Sequence, residues 1–434
     1  MINTNLSKMD SFSTSNIDLS QFYKPLKRAS DLDPLLDRIG NSKYVLLGEA
    51  SHGTYEYYIW RAKISKRLIK EKGFSFIAVE GDWPDCYKLN RWLKGHENSR
   101  KSIIEVLKEF KRWPTWMWAN WEISAFSEWL KAHNSNLQKN KKIGFYGLDV
   151  YSLWESMEII VKYLEKEDPK TAELAKKAVN CFEPYRERDS YATAFSYSRA
   201  GCKEEVISLL QEVRKRSPSY DHEPEANLNA ELNSLVVANA EKYYEAMAGF
   251  GEDSWNVRDQ HMVETLNTLT KFHGPDAKII VWEHNTHIGD ARATDMASSG
   301  LVNVGQLVWE QHEKDGVFLI GFGSFSGSVM EGSNWGAKMQ KMRVPEAIQN
   351  SVEYKLHHQD PKNKLIIFDE DHHLKVGFSK KTGHRAIGVV YHPERERGNY
   401  IPSKLSERYD AFLYIDETKA LHPLKIEPDG HLMP

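Results

Sequence analysis

Tyr44-Val45-Leu46-Leu47-Gly48-Glu49-Ala50-Ser51-His52-Gly53-Thr54 is the stretch on which the fold turns. Four apolar, β-prone residues run into small residues that carry a carboxylate and an imidazole. Three other runs stop in the same way. Phe76-Ile77-Ala78-Val79 ends at Glu80-Gly81-Asp82, Ile143-Gly144-Phe145-Tyr146 at Gly147-Leu148-Asp149, and Ile279-Ile280-Val281-Trp282 at Glu283-His284-Asn285-Thr286-His287. Short apolar runs separated by helical stretches read as buried parallel strands. In an open α/β sheet the ligand crevice lies outside the carboxyl ends of the strands. Parallel alignment therefore brings Glu49, His52, Glu80, Asp149, His284 and His287 to one rim, the outline of a hydrolytic or metal site.

Working outward, the spacing predicts a helix capped by Thr54, running through Arg61 towards Lys72 and stopped by Gly73. Between residues 151 and 272 strand signals nearly vanish, and 153–165, 171–179, 204–216, 227–247 and 257–271 read as helices interrupted by Pro184, Pro218 and Pro224. Further strands are expected at 302–307, 318–321, 365–368, 386–391 and 412–415. The fold class is α/β, a largely parallel central sheet flanked by helices with a helical insertion or cap. Residues 1–20 read as a disordered N-terminal arm, 21–150 and 275–434 as the α/β core, and 151–274 as the insertion.

Composition narrows the partners. The net charge of -3 on 434 residues comes with no basic stripe, which argues against nucleic acid. No run approaches the ~18 apolar residues of a membrane span, and the first twenty residues lack the apolar centre of a secretory signal. Cys86, Cys181 and Cys202 sit at unmatched spacings, which reads as a reducing compartment and a cytoplasmic protein. The expected partner is a small-molecule ester or lactone; oligomeric state is not legible. Trp83, Trp92, Trp113, Trp116, Trp118, Trp121 and Trp129 crowd one stretch. They read first as helix-packing core, and second as the apolar wall of a cleft.

A neutral imidazole held by a carboxylate is a good general base near neutral pH, which nominates His52 with Glu49. Arg61, about two turns into the following helix, is a candidate to clamp a carboxylate or stabilise an oxyanion. Glu80 is placed to orient the base or hold water, while Asp82 reads as a helix N-cap. His284 and His287, three apart, can share one face. They fit neither zincin signature. The preferred reading requires no cofactor. A divalent metal held by His52, His284, His287 and a carboxylate is the alternative these residue types allow. Gly323-Ser324-Phe325-Ser326-Gly327 places Phe where a nucleophile elbow needs Ser, and no phosphate-binding glycine loop follows a strand.

Taken in order, Gly48-Glu49-Ala50-Ser51-His52-Gly53, Arg61, Val79-Glu80-Gly81-Asp82, Gly147-Leu148-Asp149, Arg258-Asp259 with Met262, Glu283-His284-Asn285-Thr286-His287 and Gly388-Val389-Val390-Tyr391-His392-Pro393-Glu394 resemble the erythromycin esterase family. The resemblance runs from Tyr44 to Asp416. It implies an α/β sheet with helical additions around a deep cleft, and a hydrolase of esters whose best-known substrates are macrolide lactones. It also implies that His52 activates water with no acyl-enzyme, and that Glu49, Glu80, Arg61, His284 and His287 complete the site. Some relatives carry labels linked to succinoglycan biosynthesis, which this site chemistry does not explain.

Overall fold

The computed structural model describes residues 18–97, 99–183, 201–220, 224–249 and 253–426. Its strands are β1 (Lys24–Pro25), β2 (Tyr44–Leu47), β3 (Phe76–Asp82), β4 (Gly144–Asp149), β5 (Ile279–Trp282), β6 (Val317–Glu331), β7 (Gln340–Val344), β8 (Lys364–Ile367), β9 (Thr382–Arg385), β10 (Tyr400–Ser403) and β11 (Ala411–Thr418). One sheet runs β1-β8-β11-β6-β2-β5-β3-β4, with β7 paired to β6. Every pairing from β11 to β4 is parallel. Strands β8, β1 and β7 join antiparallel. The sheet is thus mixed but mostly parallel.

Its central strands are buried on both faces. Val45, Leu47, Ile77, Val79, Ile280 and Trp282 face one hydrophobic layer. Tyr44, Leu46, Phe76, Ala78, Ile279 and Val281 face the other. That two-sided burial is why these runs are continuously apolar instead of alternating. Helices Tyr55–Lys72 and Trp121–Ser135 help cover the first face, and Ala226–Met247 and Ser254–His273 the second.

Strand order decides the site. After β4 the chain leaves for a long helical excursion and returns as β5, which slots between β2 and β3. The turn at 283–287 is thereby wedged between the turns carrying Glu49 and Glu80. The β3–β4 register also shifts between Val79 and Asp82, and such a bulge re-aims a side chain, here Glu80. Gly147 permits it, since a Cβ there would lie 2.3 Å from the Gly81 carbonyl oxygen.

Helices Leu153–Glu167, Pro169–Phe182, Lys203–Arg216, Ala226–Met247 and Ser254–His273 form the excursion, each within a few residues of its expected span. The first four share a hydrophobic cluster of their own. The last two also lay Leu232, Leu235, Met262 and Leu266 on the sheet.

Four expectations change. Residues 302–307 are not a strand: Asn303 caps helix Val304–His312 by accepting from the Gln306 N–H. A short apolar run is ambiguous by periodicity, and the cap decided it. Residues 386–391 form only isolated bridges, Ser51 with Ile387 and Gly332 with Val390, and the strand lies earlier, as β9 against β10. Cys181 and Cys202 are joined as a disulfide between the end of Pro169–Phe182 and the residue capping Lys203–Arg216. Unmatched sequence spacing therefore hid a pair, and the ground for a reducing compartment is withdrawn. Cys86 is free and buried. Of the expected N-terminal arm, residues 1–17 lie outside the described residues, while Leu19–Phe22 form a 3-10 helix. Among the described residues no helix is long and apolar enough to cross a membrane.

Candidate active site

The turn after β2 is pressed from two sides. A Cβ at Gly48 would sit 2.1 Å from Asn285 Oδ1, and one at Gly53 would sit 1.8 Å from the Met330 carbonyl oxygen. Only glycines allow that approach. The turn presents His52 to the crevice at 5 % exposure. His52 Nδ1 lies 3.0 Å from Glu49 Oε1, so the imidazole donates there and Nε2 is left to act. The other Glu49 oxygen lies 2.7 Å from Arg61 Nη2. Arg61 is fully buried, its guanidinium 4.3 Å from the Tyr58 ring centre and 5.0 Å from that of Trp282. Its charge is spent on fixing Glu49, away from the crevice where a substrate clamp was expected.

The guanidinium that does reach the crevice is Arg258, on helix Ser254–His273. It donates from Nε to Asp149 Oδ1 at 2.9 Å, from Nη2 to Asp149 Oδ2 at 2.6 Å and to Glu80 Oε1 at 2.8 Å. From Nη1 it donates to His287 Nε2 at 3.0 Å. His287 Nδ1 donates to Asp259 Oδ1 at 2.9 Å, and Trp255 stacks on the ring with centres 4.5 Å apart. Both His287 nitrogens are thus occupied. Arg258 cross-links β3, β4 and the 283–287 turn. In the sequence, Arg258-Asp259 stands out only as part of the family resemblance, with no role attached to either residue.

His284 differs. Its Nδ1 accepts from the Thr286 backbone N–H at 3.3 Å and lies 2.8 Å from Thr286 Oγ1. That leaves the proton on Nε2, which is buried and has no side-chain partner among the described residues, the backbone of Ala50 being the contact that favours its charge. Its ring centre lies 5.0 Å from that of His52. Glu80 Oε2 accepts the His284 backbone N–H at 2.9 Å, so Glu80 links the turn after β5 to Arg258. The structure therefore brings Glu49, His52, Glu80, Asp149, His284 and His287 together, with Arg61 behind Glu49, and adds Arg258 and Asp259.

Electrostatics separate the two facing imidazoles. Burial works against charge on His52, but Glu80 and Glu49 outweigh it and hold its pKa above 6.5. Burial and the neighbouring His52 charge push His284 well below 6.5. Glu80 is held below the usual carboxylate range: burial opposes its charge, and His287, His52 and Arg258 overcome that. Glu283, fully buried with both oxygens unpartnered, is pushed well above the carboxylate range by burial and by Glu80. That direction favours its protonated form.

A slot of about 40 Å3, room for a water or two, opens beside this cluster. Glu80, Asp149 and Arg258 form its polar side, and Phe110, Trp113, Met117 and Trp118 its wall. Both readings of the Trp-rich stretch are met: Trp83 and Trp92 are core, Trp113 and Trp118 are buried and line the slot, and Trp121 is exposed. Asp82 occupies the N-cap position of Trp83–Lys94, but its carboxylate accepts from Arg112 instead of capping. Burial raises Asp82 to about 7. Arg112 also donates to Glu155, on helix Leu153–Glu167. Among the described residues no three His, Cys, Asp or Glu side chains are grouped to hold a metal ion.

Comparison with known proteins matches this chain to the erythromycin esterase family model over residues 69–418. Putative hydrolase YbfO of Bacillus subtilis (strain 168) is 23% identical over 351 residues, covering 75% of this chain and 72% of that protein. Erythromycin esterase type II of Escherichia coli is 23% identical over 363 residues, covering 78% and 83%. Two solved structures share the fold at low identity. A succinoglycan biosynthesis protein has a TM-score of 0.74 at 22% identity, covering 93% of this chain and 96% of its own. An erythromycin esterase mutant in its open conformation has a TM-score of 0.66 at 15% identity, covering 93% and 97%. With the family match spanning most of its length and the fold shared, the chain belongs to the erythromycin esterase family of hydrolases.

Proposed function

We propose that this protein hydrolyses a carboxylic ester or macrolide-type lactone with water activated by His52, without an acyl-enzyme. The observation that carries this is the pairing of two unlike imidazoles: His52, anchored through Nδ1 on a carboxylate, and His284, whose Nε2 meets no side chain among the described residues, 5.0 Å apart between ring centres. His52 Nε2 takes a proton from water as the water oxygen attacks the carbonyl carbon. His284 Nε2–H and the Arg258 guanidinium face the oxygen that becomes negative. The tetrahedral intermediate then expels the alkoxide, which takes the proton back from His52. Glu49 orients the base, backed by Arg61, and Glu80 sets the position of His284 and Arg258. Positioned base catalysis is worth about 10²–10⁴-fold, and one oxyanion donor about 10²–10³-fold. His287, saturated by Asp259 and Arg258, is a positioning residue. The helical segment 151–274 serves as a cap, reaching the slot directly through Arg258 and through Glu155, which holds Arg112.

Single-turnover hydrolysis of 4-nitrophenyl acetate in ¹⁸O-water tests the reading. The product acid should carry solvent oxygen, with no acetyl group on the quenched protein. A covalent acetyl adduct that forms and decays at the turnover rate contradicts it. The mechanism needs no metal, so dialysis against EDTA should leave the rate unchanged. Loss on chelation with recovery on adding a divalent ion would move the water onto a metal.

A further inference from the structure

A second cavity lies behind the wall of the catalytic slot. Trp113 and Thr115 line both. Where the slot holds about 40 Å3, this groove holds about 870 Å3, within the range of sites for drug-sized ligands. Trp113, Trp116, Trp121, Met330, Met339 and Leu421 give it an aromatic and aliphatic floor. Trp121, at 55% exposure, is a large aromatic left facing solvent at its edge.

The charges of the two cavities are opposite. The slot is bordered by Glu80, Asp82, Asp85 and Asp149 against Arg112 and Arg258. The groove is bordered by Lys338, Lys341 and Lys425, and no carboxylate lines it. None of these lysines forms an ion pair with a described residue. A separate feature points the same way. Trp116, which lines the groove, is fully buried, and its indole N–H has no acceptor among the described residues.

We propose that this groove is a second ligand site that takes an amphipathic anion: an apolar or aromatic body on the tryptophan and methionine floor, with a carboxylate, sulfate or phosphate among the three lysines. The mechanism above does not use the groove, so the inference stands or falls independently of the esterase reading. The groove is nonetheless tied to the catalytic turn. Met330 N–H donates to the Gly53 carbonyl at 3.0 Å and Leu421 N–H donates to the same oxygen at 2.9 Å. Gly53 N–H in turn donates to Glu331 at 3.1 Å. Both walls thus hold the residue next to His52.

Isothermal titration of the full chain with dodecanoate, and with dodecyltrimethylammonium as the cationic control, tests this below the micelle threshold. Dodecanoate should bind at least fivefold more tightly than the cation. The triple variant Lys338→Glu, Lys341→Glu, Lys425→Glu should weaken dodecanoate at least fivefold. Trp121→Ala, which removes only an exposed ring, should weaken it at least twofold, so the proposal remains testable if the triple variant fails to fold. Glu80→Gln, in the slot, should leave the affinity unchanged. Equal affinity for anion and cation, smaller losses in the groove variants, or a loss in Glu80→Gln would each overturn the proposal. Binding that appears only after removal of residues 427–434 would assign the groove to the chain's own terminus, and would overturn it too.

Discussion

Two turns meet in this site, one after β2 and one after β5, and each offers an imidazole from a similar run of sequence. Around His52 the neighbours are carboxylates, Glu49 in contact and Glu80 across the gap, and the imidazole is drawn towards its charged form. Around His284, beside Thr286, burial and the charge of His52 push the imidazole's pKa well below 6.5. Residue type does not assign acid or base here; the surroundings do. Two titratable groups pushed in opposite directions within one site mark a division of labour. In the division proposed above, His52 would move the proton and His284 would donate a hydrogen bond without titrating.

The largest effect should come from removing the proton-moving partner. His52→Ala should lower kcat on an activated ester by about 10²–10⁴-fold with an unchanged circular dichroism spectrum. His284→Phe should cost about 10²–10³-fold if its donor meets the oxyanion. Equal losses in kcat/KM and kcat would show an interaction made only in the transition state.

Arg258→Met comes next, and should break stability as well as rate. It strands the buried charges of Glu80 and Asp149. Removing one partner of a buried ion pair costs about 3–5 kcal/mol, so thermal melting should shift down by several degrees.

Glu80→Gln sharpens the comparison through pH. Glu80 is the leading favourable influence on the His52 charge. The rising limb of kcat/KM, set by deprotonation of His52, should lie above 6.5 in the native protein and move to lower pH in this variant. The linkage sign follows from the raised value: His52 contributes stability in full below its unfolded pKa of about 6.5, and loses it as pH rises through the folded value. The smallest effect should be Glu283→Gln, because an acid held towards its protonated form is replaced by a neutral amide. Its rate should stay within about threefold and its stability within about 1 kcal/mol, read by kinetics and denaturant melts. A large loss would show that Glu283 carries charge.

The parallel core was legible because four apolar runs, each ending at an acid, carry their own periodicity and stop signals. The rim they create was legible for the same reason. Three things were not. Periodicity gives no strand order, so nothing in the sequence shows that β5 enters between β2 and β3, which is what sets His284 against His52. Nor does it show which guanidinium reaches the crevice. Arg61 and Arg258 are both helical arginines near a motif. Only packing buries the first between Tyr58 and Trp282 and turns the second towards Glu80 and Asp149. The disulfide was hidden likewise, because its cysteines stand 21 residues apart and meet only when two helices pack.

The most direct test of this division is an NMR titration of the histidine side chains, with His52 and His284 assigned by substitution. The account predicts that His52 titrates above 6.5, in step with the rising limb of kcat/KM, while His284 stays neutral throughout that range. Titration of His284 along the activity limb, with His52 fixed in one state, would contradict it.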